Sequence, residues 1–145
     1  MAKLRHVAMS VPDPEKTAEF YQKAFDMKRV GKTNSPIAEG VYVSDGTITV
    51  ALLKFKNDDQ GDRDYVGIHH IGFWVNDIRA AEKQVESAGG TYLMGRPENN
   101  EGDIKNTFYE EKYKDPNGVI LDITDLGWGG AVKDVRPAIK DRKKQ

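Results

Sequence analysis

The chain contains no cysteine in 145 residues. That excludes disulfides, thiolate metal sites and cysteine nucleophiles, and it leaves nitrogen and oxygen as the only donors for a metal ion. It also suits a reducing compartment, so a cytoplasmic location is expected. Charge of one sign is missing as well: 22 basic against 23 acidic residues give a net charge of −1, too little field to attract nucleic acid or an anionic membrane. No apolar run approaches the roughly 20 residues of a membrane span, and the N-terminal "MAKLRHVAMSV" has no signal-like apolar core. The partner left by these exclusions is a small molecule. Low-complexity stretches are absent too.

Histidine is scarce, with three residues, and their placement is informative. "LRHVAMSVPD" and "GIHHIGFWVND" align without a gap, matching His6 with His70, Ala8 with Gly72, Val11 with Val75 and Asp13 with Asp77, each pair 64 residues apart. An internal repeat follows. In both copies a strand leads into a helix. Asp13 and Pro14 form an N-terminal cap ahead of an apolar stripe of Ala18, Tyr21, Ala24 and Phe25; the second helix carries Ile78, Ala81, Val85 and Ala88 and stops at Gly89 and Gly90. Three strand-like pieces follow each helix. They are "MKRVGK", "EGVYVSD" and "TITVALLKF" in the first copy, then "GTYLMGR", "NTFYEEKYKD" and "GVILDITD" in the second. The expected organisation is one domain over 1–145, made of two repeats at about 1–58 and 66–127, joined by the charged turn-rich "KFKNDDQGDRDYVG" and followed by a charged tail, 131–145.

Alternation along a strand decides what each side chain reaches. Val7, Met9 and Val11 belong under a helix, which turns His6, Ala8 and Ser10 to the other, concave face; His70, Gly72 and Trp74 match them in the second copy. His69 points the opposite way and reads as a hydrogen-bonded residue. In the last strand Val119, Leu121 and Ile123 take the core side and leave Asp122 on the concave one, where a mid-strand carboxylate calls for a cation. Glu110 and Glu111 lie on opposite strand faces; solvated edge charges are the commoner outcome for such a pair, and entry of one into the concavity as a base is the alternative. Trp74 is expected to wall a substrate site, and Trp128, in the glycine-rich "DLGWGGAV", to fold over its mouth as a lid.

These residues resemble the vicinal oxygen chelate superfamily, whose members include glyoxalase I, methylmalonyl-CoA epimerase, extradiol ring-cleaving dioxygenases, and fosfomycin and bleomycin resistance proteins. The similarity runs from His6 to Asp125, and its best pieces are "GIHHIGFWVNDI" and "YKDPNGVILDI". The fold it implies is α+β, two βαβββ modules forming a cup-shaped curved mixed sheet with a metal at the base. By the family's pattern the ligands would be His6, His70 and Asp122, with Ala51 at a vacant fourth position. Tyr113 matches a tyrosine that bonds the substrate oxygen in extradiol enzymes, so the resemblance gives it a catalytic role. Three ligands leave about three open positions on an octahedral ion, enough for a bidentate substrate and dioxygen. The cofactor expected is therefore one divalent metal ion, Fe(II) in first place, with Mn(II), Co(II), Ni(II) or Zn(II) as substitutes. An Fe(II) extradiol-dioxygenase-like enzyme acting on a small oxygen-chelating substrate is the leading reading. A glyoxalase-like divalent-metal lyase or isomerase is the first alternative, and a drug-binding resistance protein the second. The resemblance also implies a homodimer.

Overall fold

In a computed structural model, which describes residues 1–96 and 110–135, the chain alternates strand and helix in two like halves. The first half runs β1 (Lys3–Ser10), α1 (Pro14–Phe25), β2 (Lys28–Asn34), β3 (Ala38–Ser44) and β4 (Thr49–Phe55). The second runs β5 (Gly67–Trp74), α2 (Ile78–Ser87), β6 (Thr91–Met94), β7 (Glu111–Lys114) and β8 (Ile120–Thr124). The Asn106–Tyr109 end of the seventh expected strand, and residues 136–145 of the tail, lie outside the described residues.

All eight strands join one sheet in the order β2-β3-β4-β1-β5-β8-β7-β6. Each half pairs its first and last strands in parallel, and the halves meet where β1 runs antiparallel to β5. The register preserves the repeat: Ala8 lies beside Ala51, and Gly72, its counterpart, beside Asp122. Ala51 and Asp122 are therefore equivalent positions. This is an α+β fold, with a helix on one side of the sheet in each half and the concave side left for a site.

Local chemistry explains both helices. The Asp13 carboxylate accepts from the Lys16 N–H, while that of Asp77 accepts from Arg79 and Ala80, satisfying N–H groups that have no partner within the helix. Helix α2 ends as Gly90 N–H donates to the Val85 carbonyl. Beneath α1, Val11, Ala18, Val41, Val43 and Leu52 form an apolar core joined by Met9, Tyr21 and Val50. Ala24 and Phe25, expected in the stripe, are exposed, because Asp26 turns the chain at φ 55° before that face meets the sheet.

The layer beneath α2 has another composition. Glu82, not the apolar stripe, is its buried helical residue, and it faces buried Glu111 and Tyr113 from β7. Arg79 Nη1 lies 2.5 Å from Glu82 Oε1 and 3.2 Å from Glu111 Oε1. Arg96 reaches Glu82, Glu86 and the Tyr113 hydroxyl. Beside this network Phe73, Val75, Val85, Leu121 and Ile123 border an apolar groove of about 290 Å³.

Candidate metal centre

The two first strands and the last strand bring His6, His70 and Asp122 together on the concave face, all buried. His70 Nε2 is 3.0 Å from Asp122 Oδ2, His6 Nε2 is 3.7 Å from the same oxygen, and the two Nε2 atoms are 3.4 Å apart. Donor atoms about 2.0–2.2 Å from a common ion, on one face of its shell, stand about 3 Å from one another. The spacing fits a single ion.

The hydrogen bonds leave those atoms ready to coordinate. The Gln60 carbonyl can only accept, so His69 Nε2, 2.9 Å away, carries a proton and donates it. In neutral His69 the other nitrogen, Nδ1, then accepts, and His70 Nδ1 at 2.7 Å is the donor. His70 Nε2 is left with a lone pair aimed at Asp122. The relay fixes the tautomer of His70, as groups behind metal-bound histidines commonly do. Asp122 Oδ2 and His6 Nδ1 are buried without a hydrogen-bond partner among the described residues. An orphaned carboxylate oxygen facing two imidazole nitrogens is a donor set for a cation.

The electrostatics agree. Burial drives the His6 pKa down to about 3, against the pull of Asp122, and lowers that of His70 for the same reason. Both rings are thus neutral at ordinary pH. Burial alone would raise the Asp122 carboxyl; the Lys112 ammonium, 2.7 Å from Oδ1, acts against it, and the carboxyl lies below the usual range. Glu110 is pushed up to about 7, first by burial and then by the Asp122 charge.

Around the triad lies a cavity of about 260 Å³. Its walls include Ala51, Leu53, Phe55, Ile37 and Ala38, with Tyr42, Gln60, Glu110 and Lys112 as polar members. Ala51 is buried beside the triad, and its methyl group has no donor atom to offer. Trp128 lies outside this lining and covers His6 instead. Its indole stacks on His6 at 4.7 Å and 8°, and its N–H bonds the Glu110 carboxylate. Gly72 makes this seat possible, since a Cβ there would lie 2.8 Å from the indole.

Three expectations need correction. Tyr113 does not face the cavity. A five-residue connection, 115–119, pairs Lys112 with Asp122 and Tyr113 with Leu121, which turns Tyr113 to the helix side. There its hydroxyl accepts from Arg96 at 2.8 Å and donates to Glu86 at 3.2 Å. Trp74 does not line the cavity either: its N–H donates to the Asp125 carbonyl and its ring packs against Gly127, whose φ of 79° bends the chain over it. Trp128 is held against His6 and Glu110 and is not a free lid over the cavity mouth. The segment after β8 is pinned across the first half, with Thr49 and Ser44 donating to the carbonyls of Gly129 and Gly130 and Arg5 to those of Val132 and Lys133. The start of the charged tail is thereby anchored. Parity at the β7–β8 turn was the signal that could have found Lys112.

Comparison with known proteins gives a consistent result. Residues 3–123 match the family model of the Glyoxalase/Bleomycin resistance protein/Dioxygenase superfamily. No curated protein matches the sequence closely enough to count as a relative. Similar solved structures include hypothetical protein BH1468 from Bacillus halodurans C-125, with a TM-score of 0.64 and 17% identity over 94% of this chain and 99% of that one. A Streptomyces coelicolor methylmalonyl-CoA epimerase variant, in complex with 2-nitronate-propionyl-CoA, gives 0.66 and 18% over 83% and 94%. A methylmalonyl-CoA epimerase in complex with methylmalonyl-CoA and NH4+ gives 0.67 and 17% over 85% and 93%. At such identities the likeness is one of fold. No helix among the described residues is long and apolar enough to cross a membrane. The chain belongs to the glyoxalase/bleomycin resistance protein/dioxygenase superfamily.

Proposed function

From that membership and the triad, we propose that the protein is a mononuclear-metal enzyme in which His6, His70 and Asp122 hold one divalent ion and a small molecule chelates it through oxygen. The observation that carries the reading is the convergence of three buried donor atoms, one of them an orphaned carboxylate oxygen, beside a cavity. Bound there, the ion would supply Lewis acidity toward the chelating oxygens and, as Fe(II), redox chemistry with dioxygen. The vacancy at Ala51 favours the Fe(II) dioxygenase-like form, since it leaves room on the side where a fourth protein ligand would stand. The chain's own residues have separable tasks. His69 holds the tautomer of His70, Trp128 and Phe55 exclude water, and Tyr42 offers a hydroxyl to the substrate body.

A second reading, a divalent-metal isomerase or lyase, is favoured by Glu110, a carboxyl in the cavity able to take or give a proton beside a chelated carbonyl. Metal analysis after anaerobic purification, followed by oxygen uptake with catechols, separates the two. Iron with uptake supports the dioxygenase. Another metal without uptake, together with deuterium exchange next to a substrate carbonyl, supports the isomerase. A protein that takes up no divalent metal defeats both and returns the drug-binding alternative. The resemblance brings a homodimer into the proposal, to be checked by sedimentation, and the lack of cysteine a cytoplasmic location, to be checked by cell fractionation.

A further inference from the structure

Lys112 is an expensive residue in its position. Its side chain is only 11% exposed, and its ammonium lies 2.7 Å from Asp122 Oδ1 while the other oxygen of that carboxylate, Oδ2, faces the histidines. The lysine does not replace the metal: it and the ion would occupy opposite oxygens of one carboxylate. Nor does it neutralise a loaded site. With a divalent ion present, one carboxylate faces three positive charges, and even an ionised Glu110 leaves the cavity floor positive. The rest of the lining, polar at Thr33, Ser35, Tyr42 and Gln60 and apolar at Leu53, Phe55 and Ile37, carries no negative charge to compensate. Buried charge in excess is unstable unless something supplies the opposite sign, and the cavity opens on the substrate.

Resting on the metal reading above, we propose that Lys112 is a specificity-determining residue that pairs with a negatively charged oxygen of the bound substrate, so that the site selects small chelators that bind as anions and carry an apolar body. The volume of about 260 Å³ admits a compact molecule of that kind, or the acidic head of a longer one. The metal would fix the chelating oxygens, and the ammonium would distinguish a carboxylate or enolate from its neutral amide.

The test uses the full chain loaded with Zn(II) and the isosteric pair salicylate and salicylamide, by calorimetry. Lys112→Met should weaken salicylate by about 10- to 100-fold, the size of a lost charge-assisted hydrogen bond, and leave salicylamide within about 3-fold. Zn(II) affinity itself should stay level or rise, because a positive charge has left its neighbourhood. A residue needed only for structure would lower all three together. Lys112→Gln is a second neutral variant should the methionine fail to fold, and Lys112→Arg, which keeps the charge, should keep the salicylate preference. An unchanged salicylate-to-salicylamide ratio in the neutral variants overturns the proposal, as does a parallel loss of Zn(II). Failure of the unaltered protein to bind Zn(II) overturns the metal reading first, and this inference with it.

Discussion

The two halves of the molecule share a topology and a strand register, yet they are built from different materials. Beneath α1 the contact with the sheet is aliphatic, from Val11 to Leu52; beneath α2 it is a charged layer of Glu82, Glu111, Arg79 and Arg96 around Tyr113. On the concave side the first half offers Ala51 opposite Tyr42, where the second offers Asp122 opposite Lys112. A duplicated scaffold thus divides its labour. The first half contributes apolar burial and one candidate ligand, and the second contributes most of the charge.

The comparison breaks first at the histidines. His70→Ala should cost more than about 100-fold in divalent-metal affinity, whereas His69→Ala, which removes only the tautomer-fixing bond, should cost about 10-fold by metal titration. Equal losses would mean that His69 itself holds the ion.

Ala51→Glu tests whether the vacancy alone separates the two strand ends. The added carboxylate should tighten divalent-metal binding and block a position needed by substrate. Without metal it should cost several kcal/mol as an unpaired buried charge. Melting with and without the ion reads both effects: a metal-induced rise in Tm larger than that of the unaltered protein is expected, and a smaller one would show that the side chain does not reach the ion.

Differences in the helix layers should appear as stability. Leu52→Ala should destabilise by about 2–5 kcal/mol, because it empties a closed apolar core, while Val85→Ala, at the open groove under α2, should cost about 1 kcal/mol or less. Urea midpoints at constant slope provide the comparison. The charged layer should show itself in pH dependence. Burial and the neighbouring Glu82 push the Glu111 pKa up to about 7, so folding favours its protonated form. That contribution is complete below the ordinary carboxylate range and is lost as pH rises through about 7. Glu111→Gln should therefore gain in Tm relative to the unaltered protein at pH 8 and lose that advantage at pH 5. The smallest effect belongs to Tyr113→Phe, about 1 kcal/mol of stability from one hydroxyl, with metal and substrate binding unchanged. A drop in turnover there would restore the role expected from resemblance.

Much of this could be read from the residues because β-strands alternate strictly. Once the gapless match of His6 to His70 was found, parity was enough to bring both rings and Asp122 to one face, and the capping residues Asp13 and Asp77 marked both helices. Tyr113 departs from its expected place for a physical reason: in a hairpin the connecting length, not proximity in sequence, decides which residues share a face, and an odd connection gives the place to Lys112. The layer under α2 stayed hidden because helical periodicity points to Ile78, Ala81 and Val85, while Glu82 is buried only through charged partners brought by β7 and Arg96. Trp128 and Glu110 meet through a chain return that no local pattern encodes.

The pinned return of residues 129–133 across β1 and β4 has a consequence for synthesis. His6 leaves the ribosome early, but the strands that flank it, β4 and β5, arrive some forty to seventy residues later, and Asp122 and Trp128 later still. At about 5–20 residues per second, roughly 6–23 s separate His6 from Asp122. Throughout that interval the nascent chain has neither the carboxylate nor the indole that covers His6, so completion of the triad is among the last events of its folding and a chain truncated before Asp122 would lack it.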